Sequence, residues 1–260
     1  MQSTLAFTEP QSRFQLNDVA TTANKKEGNF ILNGKKSFVL NGSESDLIIV
    51  PARTSGSQTD LKGITLFAVK KDSSGIEMNS YKSVDGRSAA EIKLNNVSVS
   101  SDSIIGEIDN GYDALEATVD EATLAICAEA TGIMKSLHDK TVEYSKNRVQ
   151  FGIPIGGFQA LQHRMVDTLM ACEETESILL WAITTEQDDK SALKKAISGL
   201  KYQIGTAGKH VGQEAVQLHG GMGISWELDI AHLFKRLSAI EILFGNADFH
   251  MKRFIELSNV

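Results

Sequence analysis

Residues 113–146 read DALEATVDEATLAICAEATGIMKSLHDKTVEYSK, a stretch with no proline and a single glycine, Gly132. Apolar residues recur at Leu115, Val119, Ala122, Ile126, Ala130, Ile133, Met134 and Leu137. That is close to the three- and four-residue spacing that lines one face of a helix, and it predicts one long helix from Asp113 to Lys146. Downstream, Phe151-Gly152-Ile153-Pro154-Ile155-Gly156-Gly157 interrupts the pattern, and Pro10, Pro51 and Pro154 all fall outside helical segments, as the missing N–H of proline requires. Two further helices are predicted at roughly residues 158–187 and 191–212. The loop His219-Gly220-Gly221-Met222-Gly223 follows, and then a last helical stretch from about 228 to 257.

Upstream the grammar changes. Short β-branched or aromatic runs alternate with turn residues: Asn29–Leu32 before Asn33-Gly34, Ser37–Leu40 before Asn41-Gly42, Asp46–Val50 before Pro51, and Gly63–Val69 before Lys70-Lys71. Each run is strand length, and further strands are predicted at Glu91–Leu94, with Asn95-Asn96 as a turn, and around Ser98–Ile105. The expected fold class is α+β: an antiparallel β-barrel or sandwich domain at 1–108, followed by an antiparallel four-helix-bundle-like domain at 109–260.

Composition narrows the function classes. With 42% hydrophobic and 23% charged residues in 260, the chain can bury a sizeable core. Its net charge of −7, with 26 scattered Lys and Arg, argues against nucleic acid as a general partner, because phosphate binding needs a concentrated basic face. Cys127 and Cys172 sit in apolar helical segments rather than in a disulfide framework. Together with the lack of an 18-residue apolar run or an N-terminal leader pattern, they predict a cytoplasmic protein. The histidines are dispersed, no metal-ligand spacing occurs, and no G-x-S-x-G, Walker or G-x-G-x-x-G motif is present.

What stands out is glycine beside basic residues and amides. In Arg148-Val149-Gln150-Phe151-Gly152 a guanidinium at a helix end suits bidentate capture of a phosphate or carboxylate. The same spacing equally makes a helix C-cap with Gly152 in the left-handed position. Three glycines among residues 220–223 let a ligand approach the backbone, and they equally make a tight interhelical turn.

In order along the chain, these segments resemble the acyl-CoA dehydrogenase family. The resemblance is carried by Leu5–Pro10, Asn33–Gly42, Arg148–Gly152, Ile155–His163, Gln213–Gly223, Phe234-Lys235-Arg236 and Gly245, and it spans nearly the whole sequence. The run Gln11–Ala23 after Thr8-Glu9-Pro10, with Cys127–Ala130 and Leu161–Met165, is similar to the small subunit of pimeloyl-CoA dehydrogenases, whose substrates are CoA esters of dicarboxylic or bulky acids.

The resemblance implies FAD as cofactor, an acyl-CoA substrate, an electron-transfer flavoprotein or similar acceptor, and a homo- or hetero-oligomer. It places Phe7 and Thr8 along the isoalloxazine, with Phe38 and Val39 near the ring. Phe38 reads equally as a core strand residue. Arg148, Gln150 and Phe151 would reach the FAD of a partner subunit, the arginine facing the pyrophosphate. Gln217, Gly220 and Gly221 would line the adenosine side, and Asn246 and Asp248 would fall in the cofactor loop.

Two departures stand out. Most members carry the proton-abstracting glutamate before the glycine at 245, where this chain has Phe244, and the alternative helix position falls at Ala122. Asp120, Glu121 and Glu241 lie nearby, each readable as an ordinary helix charge, and Glu241 is the expected base. The second departure is that Met1 directly precedes the β-domain motif, where the family has a helical domain. The expectations are therefore an acyl-CoA dehydrogenase that is truncated or completed by another polypeptide, or a non-catalytic partner subunit that completes the FAD site of a related enzyme.

Overall fold

The computed structural model of the chain describes residues 1–186 and 188–259. It divides into two compact units, Met1–Val119 and Asp120–Val260, each with its own apolar core.

The first unit is one eight-stranded sheet: β1 (Ser3–Leu5), β2 (Thr22–Lys26), β3 (Asn29–Leu40), β4 (Leu47–Arg53), β5 (Ile64–Lys70), β6 (Ile76–Lys82), β7 (Ser88–Ser100) and β8 (Ile104–Ile105). The order is β6-β7-β3-β2-β4-β5-β8, with β1 added against β4. Most pairings are antiparallel, but β1 and β2 meet β4 in parallel. Among the described residues the ladder stays open, so the expected barrel does not close. One end is β8, only two residues long, and a strand that short blunts an edge rather than extending the pairing.

Two predicted turns are absent. Asn33-Gly34 and Asn95-Asn96 lie inside β3 and β7, which run antiparallel across both. Between the pairs Leu32↔Val97 and Gly34↔Leu94, β7 carries one extra residue, with Asn96 at φ 50. Between Lys36↔Ile92 and Val39↔Ala90 the extra residue is on β3, with Phe38 at φ 51. These are two β-bulges, one on each strand, and each switches which face the following side chains occupy. Gly34 is glycine because a Cβ there would collide with the backbone and side chain of Thr21. Strands β2 and β6, unpredicted, are mostly exposed and polar, so they carry little apolar alternation.

The second unit holds α1 (Tyr112–Asn147, whose first turns belong to the first unit), α2 (Gln159–Thr184), α3 (Lys190–His219), α4 (Asp229–Ile242) and α5 (Ala247–Ser258). The long helix spans its predicted range. The predicted end of α2 at Gln187 lies outside the described residues.

Helix α3 continues past Gly212 to His219, because that glycine is a packing contact rather than a stop: a Cβ would sit 2.9 Å from the Phe234 ring on α4. The last predicted helix is two helices, broken at Phe244 (φ 58) and Gly245 (φ 115), with the Asn246 side chain accepting the Phe249 N–H to start α5. Arg253 on α5 grips Asp120 through both guanidinium ends (2.5 and 2.8 Å), and Arg236 on α4 grips Glu129 at 2.7 Å. Both clamps tie the C-terminal helices to α1. Cys127 and Cys172 are free and buried.

Candidate functional site

In the first unit the two predicted motifs come together. The Ser37 N–H donates to the Thr8 carbonyl at 2.8 Å, which sets Phe7-Thr8 beside Ser37-Phe38. Phe7 and Thr8 are half-buried, and Phe38 is exposed at the bulge, its ring tilted toward Tyr81 with centroids 6.4 Å apart. A phenylalanine in left-handed backbone is unusual. Here its N–H donates to the Glu91 carboxylate at 3.2 Å. Burial alone would raise the pKa of Glu91, but that N–H, Ser37, Tyr81 and Lys35 outweigh it and hold the carboxyl below the usual range. Val39 is different: it is 1% exposed and packed in the core, so its side chain presents no surface to a ligand.

Beneath this pair of motifs lies an ion pair that composition and spacing did not reveal. Lys36 is fully buried, and its ammonium donates to Glu9 Oε1 at 2.6 Å and to the Pro51 carbonyl at 2.7 Å. Glu9 also accepts from the N–H groups of Ala20 and Thr21. Burial tends to raise the Glu9 pKa, yet the charge and hydrogen bond of Lys36, with the side chains of Gln11 and Thr21, bring it below its ordinary value. Burial lowers that of Lys36 against the pull of Glu9. The sequence signal was a lysine at a position where the strand alternation calls for an apolar residue.

In the second unit a two-residue hairpin follows α1: Val149–Gln150 pairs antiparallel with Ile153–Pro154. Phe151 (φ 55) and Gly152 (φ 84) form its turn, the pairing of two positive φ values that tight hairpins favour. Gly152 is therefore left-handed in a hairpin rather than as a helix cap. Arg148 and Gln150 are exposed, and Phe151, 94% exposed, carries its ring at the tip. Val142, Ser145, Lys146, Ile153, Pro154 and Met165 are among the residues lining an open cavity of about 580 Å³ beneath the hairpin.

The hairpin and the glycine loop share one end of the unit. Tyr144 on α1 stacks on His219 at 4.3 Å between centroids, and its hydroxyl donates to the His219 carbonyl at 3.4 Å. The three glycines have different reasons. Gly223 is required by packing, since a Cβ would lie 2.5 Å from the Val216 carbonyl oxygen; Gly220 needs φ 59. At Gly220 and Gly221 a Cβ would meet nothing within 4 Å, so the backbone faces open space beside exposed Gln217. An unobstructed peptide edge and an exposed arginine at the same end of the unit fit a phosphate-bearing dinucleotide.

Glu241, Asn246 and Asp248 lie elsewhere. Their turn packs at Lys201, about 27 Å along α3 from His219 at 1.5 Å per residue. The structure thus does not bring them together with Arg148 and Gly220 inside one chain. Asn246 uses its side-chain oxygen as the N-cap of α5, Asp248 is exposed, and Glu241 is half-buried. Of the other carboxylates, Asp120 is committed to Arg253, and Glu121 is exposed. Among the described residues no cluster of three His, Cys, Asp or Glu could hold a metal ion, and no helix is long and apolar enough to cross a membrane.

Residues 4–97 match the acyl-CoA dehydrogenase middle domain, and 109–256 match the acyl-CoA dehydrogenase C-terminal domain. The chain belongs to the acyl-CoA dehydrogenase family. A curated relative, the 3-(aryl)acrylate reductase of Clostridium sporogenes, is 31% identical over 95% of the chain. The chain spans about two thirds or less of its curated relatives' length, 66% for this one. Among solved structures, an acyl-CoA dehydrogenase from Geobacillus kaustophilus superposes with a TM-score of 0.93 at 26% identity, covering 99% of this chain and 69% of that one. PigA with FAD and proline gives a TM-score of 0.92 at 25% identity, covering 99% and 67%. Within the acyl-CoA dehydrogenase family frame, Phe244 remains the residue that departs from the expected glutamate.

Proposed function

We propose that this chain binds FAD and serves in an acyl-CoA dehydrogenase that introduces an α,β double bond into an acyl-CoA thioester, passing electrons to an electron-transfer flavoprotein or similar acceptor. The observation that carries it is the pairing of exposed Arg148 with the open peptide edge at Gly220-Gly221, held at one end of the helical unit by the Tyr144–His219 stack. The FAD complex of the related PigA supports the same cofactor.

FAD, when bound, supplies the two-electron acceptor. With FAD bound, Arg148 would hold its pyrophosphate, Gln217 and the Gly220-Gly221 backbone would receive its adenosine part, and Gln150 and Phe151 would cover it. Thr8 would offer a hydroxyl to the flavin and Phe38 an aromatic ring. Because the Arg148 end and the Asn246–Asp248 turn are far apart in one chain, a complete site draws its two ends from two subunits of a homo- or hetero-oligomer. Glu241 takes the α-proton. Division at 108/109 separates the two contributing domains. A dicarboxylyl-CoA is the proposed substrate, a reading that rests on the sequence resemblance of Gln11–Ala23, Cys127–Ala130 and Leu161–Met165 alone, and the free buried cysteines suit a reducing cytoplasm.

An absorbance spectrum of the protein after incubation with FAD, then with an acyl-CoA under a dye acceptor, tests this. Flavin bands that bleach with substrate support it, and absence of flavin at any protein concentration overturns it. Phe244 favours a second reading, a non-catalytic subunit completing the FAD site of a related enzyme. In that case Glu241→Gln leaves the activity of a purified complex unchanged.

A further inference from the structure

The turn between α4 and α5 is held in an unusual way. A helix ends with carbonyls that have no partner within the helix, and a buried end needs donors from elsewhere. At the end of α4 one side chain provides them. Lys201, in the middle of α3 and with no exposed surface, donates from its ammonium to the carbonyls of Ile240 (2.9 Å), Glu241 (2.9 Å) and Gly245 (2.6 Å).

A second pin comes from α5. His250 Nε2 lies 3.0 Å from the Phe244 carbonyl, and since a carbonyl only accepts, the ring carries its proton there. Burial, with the charges of Lys201 and Arg253, pushes the His250 pKa down to about 3 against that hydrogen bond, so the ring is neutral. Gly245 fits the space left: a Cβ would lie 2.6 Å from His250 Nε2 and from the Phe249 ring.

Four carbonyls within six residues are thus fixed by two side chains. Between them the backbone adopts the consecutive left-handed conformations of Phe244 and Gly245.

We propose that Lys201 is a positioning residue: by gathering the carbonyls of Ile240, Glu241 and Gly245 it sets the turn that presents Glu241, Phe244, Asn246 and Asp248, with His250 as the second pin. The proposal rests on the flavoenzyme reading only for what the turn is used for; the clamp itself is independent of it. Lysine suits the task because its compact ammonium carries three donors that diverge from one atom to three acceptors. The charges bearing on Lys201 come from Cys127 on α1 and Glu241 on α4, and Lys201 in turn bears, with Arg253 of α5, on His250.

Lys201→Met in the full chain separates positioning from space-filling, because methionine keeps most of the aliphatic volume and removes all three donors. Amide hydrogen exchange is measured across the chain, and FAD affinity by flavin fluorescence. The expected result is exchange at residues 243–250 at least tenfold faster, with α1 and α2 unchanged, and FAD affinity reduced about tenfold. Unchanged exchange at 243–250 overturns the proposal. Should the variant fail to fold, the wild type decides: with 15N-lysine labelling, the Lys201 ammonium protons exchange far more slowly than those of surface lysines if the clamp exists, and equal rates overturn it. Loss of FAD binding in the wild type with the clamp intact would instead defeat the flavoenzyme reading alone.

Discussion

Each unit buries one lysine completely, and the two solve the same problem differently. Lys36 in the sheet meets a carboxylate, Glu9, itself held by backbone N–H groups. Lys201 among the helices meets three carbonyl dipoles, two of them at the negative end of α4. The sheet has no comparable dipole, since its backbone groups are spent in the ladder and alternating strand dipoles largely cancel. A buried ammonium there requires a full counter-charge. In the helical unit the partial charge of a helix end substitutes for one, and burial then dominates: the Lys201 pKa is pushed down to about 8, with Cys127 and Glu241 raising it only in part.

The contrast is broken most directly by removing one charge. Lys36→Met leaves Glu9 buried without its cation, and denaturant unfolding should show a loss of about 3–5 kcal/mol. Adding Glu9→Gln should recover part of that loss. Equal losses for the single and double variants would mean that Lys36 acts through packing rather than pairing.

Lys201 sharpens the same contrast through pH. Its folded pKa lies below the unfolded value, so between about 8 and 10.5 the unfolded chain binds more protons, and this group makes stability rise with pH across that window. The penalty is fully present below about 8 and is relieved toward 10.5. Each pKa unit is worth about 1.4 kcal/mol, so the effect amounts to a few kcal/mol. Thermal unfolding between pH 7.5 and 10 should show this upward trend in wild type relative to Lys201→Met; parallel curves would remove the case for a charged, buried Lys201. Glu9 works in the opposite range: its lowered pKa supplies stability above the unfolded value that disappears as pH falls through the folded one.

Smaller effects separate packing from recognition. Gly223→Ala must push against the Val216 carbonyl and should lose about 1–3 kcal/mol in a thermal melt. Gly221→Ala, in open space, should melt as wild type while weakening FAD binding. The smallest stability change belongs to Arg148→Ala, an exposed cation outside any core, expected within about 0.5 kcal/mol of wild type. Its FAD affinity should nonetheless fall about ten- to a hundredfold, the worth of one or two charged hydrogen bonds. An unchanged affinity would remove Arg148 from the cofactor site.

The long helix and the division into a strand-rich and a helical half were legible because periodicity and glycine punctuation are local signals; Thr8 and Phe38 entered only through the resemblance of their motifs to the family, which also gave Arg148 its expected role. The interior turns were misread for an equally local reason. Asn-Gly and Asn-Asn signal a hairpin, but inside these paired strands Asn96 takes its left-handed conformation as a bulge and Gly34 makes room for Thr21, and only the neighbouring strands distinguish these cases. Gly212 read as a stop because the Phe234 ring that demands it is distant in sequence. Val39 looked like a neighbour of Phe38 on the site, and the bulge turned it into the core.

By itself, then, the sequence determined the helical and strand content, the order of the family motifs and the basic residue set beside a glycine loop, since each depends on neighbours a few positions away. Tertiary structure alone decided which lysines are buried and what each holds, that the sheet stays open, and that the proposed cofactor residues of the helical unit lie at two well-separated levels along α3. Those depend on contacts between residues tens of positions apart, such as Glu9 with Lys36 and Lys201 with Gly245. Burial converts them from ordinary charged side chains into partners that must be satisfied.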